Sequence, residues 1–94
     1  MHVISHAKIV AAQAVHADCV TALDHWYRLT KRANWRNVAE VKACFPAIDK
    51  VGDKFVFDIG GNQLCLIAAI HFNAGRVFVR AVLTHREVDK GDWR

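Results

Sequence analysis

One proline and five glycines serve the whole 94-residue chain, and Gly60-Gly61 is the sole adjacent pair. Collagen-like, linker-like and low-complexity architectures are therefore excluded. The three cysteines, Cys19, Cys44 and Cys65, stand far apart without a Cys-x-x-Cys pair. That spacing argues against a disulfide framework or a thiolate zinc knuckle and predicts three separate, reduced thiols. No apolar run approaches the length of a membrane span, and Met1 to His6 is not a basic segment feeding an apolar one. The expectation is a cytoplasmic protein with no membrane contact. His2 and His6 lie four apart but have no carboxylate or thiolate at ligand spacing, so neither a metal site nor any other cofactor is expected.

What is present is apolar and mildly basic. Hydrophobic residue types make up 53% of the chain, too many for a disordered tail, and 94 residues are too few to divide into two stable cores. A single domain over residues 1–94 is the expectation, with no space for a second, cofactor-binding unit. Thirteen Lys and Arg against nine Asp and Glu give a net charge of +4, which permits a polyanionic partner without demanding one.

The two halves differ in period. Val3 and Ile4 suggest a short edge strand, and Ser5 suggests an N-cap for a helix through Ala11 to Val15. Asp18 is placed to cap a second helix, in which Val20, Leu23, Tyr27 and Thr30 fall on one side with Ala22, Trp26 and Leu29 beside them. Lys31 and Arg32 close that helix where its dipole is negative. Asn37 and Glu40 have capping-box spacing, so a third helix is expected from Val38 to about Cys44, stopped by Phe45-Pro46.

From Lys54 the period becomes two. Phe55, Phe57 and Ile59 alternate with Val56 and Asp58, Gly60-Gly61-Asn62 supplies a turn, and Leu64, Leu66, Ala68, Ile70 and Phe72 resume the alternation. A second turn at residues 73–76 leads to a third strand. There Val77, Val79, Ala81 and Leu83 are expected on one face, and Phe78, Arg80, Val82 and Thr84 on the other. The pairings expected are Ile59 with Leu64, Phe57 with Leu66, Phe72 with Val77 and Ile70 with Val79. The fold class that results is α+β, two layers, with N-terminal helices on an antiparallel sheet built around a three-stranded meander. The other sheet face carries Asp58, Cys65 and Arg80 together with apolar Val56, Ile67 and Ala69, so a terminal segment or a partner should cover part of it.

Arg80 sits in a strand otherwise suited to burial, and His85 follows that strand's end. From pattern alone Arg80 reads equally as a solvent-facing arginine or as a partner of Asp58, and His85 as an ordinary loop histidine. Together they offer a cation for phosphorane charge and a group that exchanges protons. Those are the two requirements of RNA cleavage in which the substrate's own 2′-hydroxyl is the nucleophile. Gly60-Gly61-Asn62 joins antiparallel strands and opens no helix, so it is not a phosphate-binding loop.

The stretch Phe55-Val56-Phe57-Asp58-Ile59-Gly60-Gly61-Asn62-Gln63-Leu64, followed by Val79-Arg80-Ala81-Val82-Leu83-Thr84-His85-Arg86-Glu87-Val88-Asp89, resembles the HigB toxins of toxin-antitoxin systems, in the RelE-like superfamily. Trp35-Arg36-Asn37 and Phe45-Pro46 extend the likeness, which covers roughly residues 30 to 90. The resemblance implies a RelE-like fold and a type II toxin: an mRNA endoribonuclease acting on translated mRNA at the ribosome, held inactive by a helix-turn-helix antitoxin of HigA type. By position it implies that Arg80 stabilises the scissile phosphate and that His85 acts as general acid or base. Arg86 and Lys90 would contact RNA, and no metal would be needed. Two positions depart from the family pattern: Cys65 stands where the second strand carries arginine, and Val88 where the segment after the third strand carries tyrosine. They reduce a pair of cations to one and supply a second reading, a protein that binds antitoxin or RNA without cutting.

Overall fold

The computed structural model describes residues 1–61 and 63–93. In chain order it has β1 (His2–Ile4), α1 (His6–Val15), a 3-10 turn (Ala17–Cys19), α2 (Val20–Arg32), α3 (Val38–Cys44), β2 (Asp49–Val51), β3 (Lys54–Ile59), β4 (Leu64–His71), β5 (Arg76–Leu83) and α4 (His85–Lys90). Among the described residues the strands form one five-stranded sheet in the order β1-β5-β4-β3-β2. The α+β class and the meander β3-β4-β5 agree with the pattern in the sequence. The sheet is mixed, however, where an antiparallel one was expected: β1 runs parallel to β5, with Val3 opposite Val77. Three residues at the N-terminus are too few for their period to reveal a direction.

Period-two segments become strands because alternate side chains reach a core. Phe57, Leu64, Leu66, Val77 and Val79 are buried with Ile9 of α1 and with Leu23 and Trp26 of α2. Trp26 meets the Phe57 ring edge-on at 5.3 Å, and Phe45 meets the same ring at 5.2 Å. On α2 the fully buried stripe is Leu23, Trp26 and Thr30, while Val20 and Leu29 are exposed. Leu23, Trp26 and Thr30 follow the spacing of one helical face, narrower than the stripe read from hydrophobicity.

The expected caps fare unevenly. Asn37 accepts from the Glu40 amide as predicted, with the Glu40 side chain reaching the Arg36 amide. Ser5 occupies the N-cap of α1 but in left-handed conformation and without a side-chain bond. Asp18 lies inside the 3-10 turn, and Cys19 precedes α2. In the first hairpin Ile59 pairs with Leu64 and Phe57 with Leu66, as expected. Gly60 and Gly61 both take positive φ, at 63° and 62°, which spares the strain a Cβ would bring there. Asn62, expected in this turn, lies outside the described residues.

The second hairpin departs from expectation. Ile70 pairs with Val77, placing the turn at residues 72–75, two residues from the predicted register and hence on unchanged faces. Ala68 then faces Val79 while Ile67 faces Ala81, so Arg80 is the extra residue of a β-bulge. The inserted residue reverses the alternation beyond it. Val82 packs with the helix-side core, whereas Leu83 packs on the opposite face with Val56, Cys65 and Ile67. Val88 and Trp93 from the C-terminal segment cover that second cluster, as the apolar character of the open face required. No helix among the described residues is long and apolar enough to cross a membrane.

Candidate active site

The bulge and α4 together build the site. At a bulge the ladder loses a regular bond, and the Arg80 carbonyl instead accepts from Lys8 Nζ of α1 at 2.8 Å. The Arg80 side chain is exposed, its guanidinium over the Phe78 ring at 5.5 Å, on the side of the bulge away from His85. Its field reaches Asp53, where it helps, as the smallest contribution, to hold that carboxyl below its usual range; Lys54 does most of this through a hydrogen bond and its charge. Among the described residues the two ion pairs are Arg28 with Asp24 and Lys54 with Asp53, so of the two ordinary readings of Arg80 the solvent-facing one is found and the pairing with Asp58 is not made.

His85 is the first residue of α4, where sequence pattern suggested a loop. Thr84 and Glu87 form a capping box: the Thr84 side chain accepts from the Glu87 amide at 3.3 Å, and Glu87 Oε1 accepts from the Thr84 amide at 3.0 Å. These bonds satisfy amides that a helix start leaves unpaired, and they fix the backbone that carries His85. The Thr-x-x-Glu spacing of Thr84 and Glu87 was the available signal for this helix. Hydrogen bonds from Thr84 hold the Glu87 carboxyl below its ordinary pKa.

Beneath His85 lies Cys65. In the ladder Cys65 stands between Asp58 on β3 and Leu83 on β5, and two residues beyond Leu83 the chain turns the His85 ring over the sulfur. Cys65 Sγ is 3.7 Å from His85 Nε2 and 3.9 Å from Asp58 Oδ1. The thiol is buried, 2% exposed, among Val56, Ile67, Leu83 and Val88. Burial first, then the charge of Asp58 and its hydrogen bond, then Asp89 and Asp49, push its pKa up to about 11. At neutral pH it is a protonated, weakly nucleophilic thiol.

Of the residues expected at the site, His85 is at the sheet end over Cys65, and Arg80 is on the bulge of the neighbouring strand. Arg86 is exposed in the first turn of α4. Lys90, also exposed, lines an open cleft of about 350 Å³ with Ala81, Leu83, Glu87, Asp92 and Trp93. Asp58, Cys65 and His85 form a tight trio, their ligand-type atoms all within 4.8 Å of one another. Residue spacing did not reveal this grouping, because it depends on strand register and on a helix that starts beyond the third strand.

A two-layer α+β domain with helices packed on a five-stranded mixed sheet is an architecture consistent with RelE-like toxins. Residues 19–91 match the model of the HigB toxins, described as the RelE-like toxic component of a toxin-antitoxin system. The chain is 36% identical over 93 residues to the mRNA interferase HigB of Escherichia coli O6:H1, covering 96% of this chain and 90% of that protein. It is 30% identical over 92 residues to the mRNA interferase toxin HigB of Escherichia coli K12 and to the mRNA interferase HigB of Shigella flexneri, covering 95% of this chain and 88% of each of theirs. The chain belongs to the HigB toxin family. Membership implies an antitoxin as its partner.

Proposed function

We propose that this toxin is an mRNA endoribonuclease that cuts translated mRNA at the ribosome. The observation that carries the reading is the match, across nearly the whole chain, to proteins named mRNA interferases. The site's chemistry supports it. In-line attack by a 2′-hydroxyl forms the new 2′-O–P bond while the P–O5′ bond breaks. One proton leaves the 2′-oxygen and another reaches the 5′-oxygen, giving a 2′,3′-cyclic phosphate and a free 5′-hydroxyl. The nucleophile belongs to the substrate, so the protein has to supply charge and proton exchange.

His85 exchanges the proton, from a helix start fixed by Thr84 and Glu87. Arg80 stabilises the negative charge that builds on the phosphorane. Its exposed guanidinium rests over Phe78 and swings toward the phosphate when RNA arrives. Arg86 and Lys90, exposed on α4, contact flanking phosphates. The antitoxin is of the helix-turn-helix, HigA type, and the protein acts in the cytoplasm. The interferase names do not favour the non-cleaving alternative raised by Cys65 and Val88.

The test is induced expression with mapping of new 5′ ends in translated mRNA, using the native chain, Arg80→Ala and His85→Ala. Each substitution is expected to lower cleavage about 100-fold or more. Both positions are exposed, so the thermal midpoint should barely move. Growth and mRNA that stay intact on induction of the native chain would remove the nuclease reading. Undiminished cleavage by Arg80→Ala would remove Arg80 from the site.

A further inference from the structure

We propose that Asp58, Cys65 and His85 form a binding site for a single Zn²⁺ ion. A tetrahedral ion with Zn–S near 2.3 Å and Zn–N or Zn–O near 2.0 Å holds its ligand atoms about 3.5 Å apart. Here the sulfur is 3.7 Å from an imidazole nitrogen and 3.9 Å from a carboxylate oxygen, and all three donor atoms fall within 4.8 Å. Closing the two sulfur distances requires shifts of a few tenths of an ångström, and the imidazole and carboxylate, at most 4.8 Å apart, must approach each other by up to about 1.5 Å, a movement open to two exposed side chains. The sulfur, on a central strand, need not move.

Two further observations favour a cation, and a third concerns how firmly the donors are held. The donor set combines a thiol, an imidazole and a carboxylate, which suits zinc and disfavours magnesium or calcium. The carboxylates of Asp58, Asp89 and Asp49 all bear electrostatically on the Cys65 sulfur, so the site lies in negative potential. Apolar Val56, Ile67, Leu83, Val88 and Trp93 surround the sulfur from below and the side, and the capping box holds the backbone of His85. Asp58 and His85 are exposed, which leaves an entry path and a fourth coordination position open to water or to an anionic oxygen.

Binding balances simply. The thiol proton leaves to solvent, a sulfur–zinc bond forms, the imidazole donates a nitrogen lone pair, and the carboxylate anion contributes one oxygen. The site gains one unit of positive charge. A metal-bound nitrogen has no lone pair to take a proton, so zinc and RNA cleavage compete for His85. That consequence rests on the nuclease reading above.

The experiment is titration of the purified chain with Co²⁺ as a spectroscopic probe, followed by displacement with Zn²⁺. Expected are tetrahedral cobalt bands, a sulfur-to-cobalt charge-transfer band in the near ultraviolet, and one ion per chain. Cys65→Ser should abolish the charge-transfer band, and His85→Ala and Asp58→Asn should each weaken binding at least tenfold. His25→Ala, on the exposed face of α2, should leave binding unchanged. Absence of the charge-transfer band in the native chain, or its persistence in Cys65→Ser, would overturn the site. In the cleavage assay Zn²⁺ should suppress activity at least tenfold, reversibly with chelator, and full activity at saturating zinc would overturn the competition for His85. Cobalt bands from a chain that shows no cleavage without metal would support the site and instead refute the nuclease reading.

Discussion

The His85 ring and the Cys65 sulfur, 20 residues apart in sequence, lie 3.7 Å apart across the end of the sheet. The thiol is the buried member of the pair, and its proton is held more tightly than usual, to about 11 against an ordinary 9.0. Its thiolate fraction near pH 7 is therefore about 100-fold below that of a free cysteine. Alkylation should accordingly label exposed Cys44 first and Cys65 far more slowly, with the Cys65 rate climbing until the pH passes about 11. Mass spectrometry of iodoacetamide-treated native protein reads the order, and equal labelling of Cys44 and Cys65 would contradict it.

Thr84 and Glu87 set the position of His85, so their loss should be felt first in α4. Thr84→Ala removes the acceptor for the Glu87 amide and is expected to lower stability by about 1 kcal/mol. The Glu87 carboxyl titrates below its ordinary value in the folded chain. A group depressed on folding stabilises the fold fully above its unfolded pKa, and that contribution disappears as pH falls through the folded one. Native-state hydrogen exchange in α4 should therefore accelerate as pH falls below about 4.5, relative to intrinsic rates. Glu87→Gln should remove the pH dependence, and its survival in that variant would assign it to another carboxylate.

The meander, the helical first half and the first hairpin register were legible in the sequence because each rests on local alternation and on a glycine turn at Gly60-Gly61. Arg80 was legible as a charged residue on an apolar strand, but its place on a bulge was not. Regular alternation puts Ala81 and Leu83 on the helix side, and nothing local reports that one extra residue sends Leu83 to the other face with Cys65. The Asp58-Cys65-His85 grouping was hidden for the same reason, since it is created by two strand pairings, Asp58 with Cys65 and Cys65 with Leu83, and a turn of chain. The short strand β2 at Asp49–Val51 was also missed, because three residues alternate too briefly to show a period.

Thr30 is wholly buried on α2, and its hydroxyl has no hydrogen-bond partner among the described residues. An unpaired buried hydroxyl costs about 1–3 kcal/mol, and valine has nearly the same shape and the same stiffness in a helix. Thr30→Val is therefore expected to raise stability by about 1 kcal/mol, seen as a higher denaturant midpoint at unchanged slope. A lower midpoint would mean that the hydroxyl contributes to the native fold.

The resemblance in the sequence implies an arginine where this chain has Cys65, and the surroundings define what arginine would do there. Its guanidinium would leave the apolar floor of Val56 and Ile67 and rise toward Asp58 and the His85 end of the sheet, where Asp89 and Asp49 also bear on this position. Overfilling a buried site costs about 1–3 kcal/mol, partly offset by these carboxylates, so Cys65→Arg should lower the thermal midpoint modestly. It should also restore a second cation near the phosphate, an effect comparable to a transition-state donor whose removal costs about 100- to 1,000-fold. Cleavage should rise by at least tenfold over the native chain, and Arg80→Ala should then be less damaging in the Cys65→Arg background. Because arginine cannot ligate zinc, the same variant should cleave equally well with and without the ion. Single-turnover cleavage of a ribosome-bound message, with and without Zn²⁺, measures both effects; a variant that folds but cleaves no faster would show that position 65 does not act on the reacting phosphate.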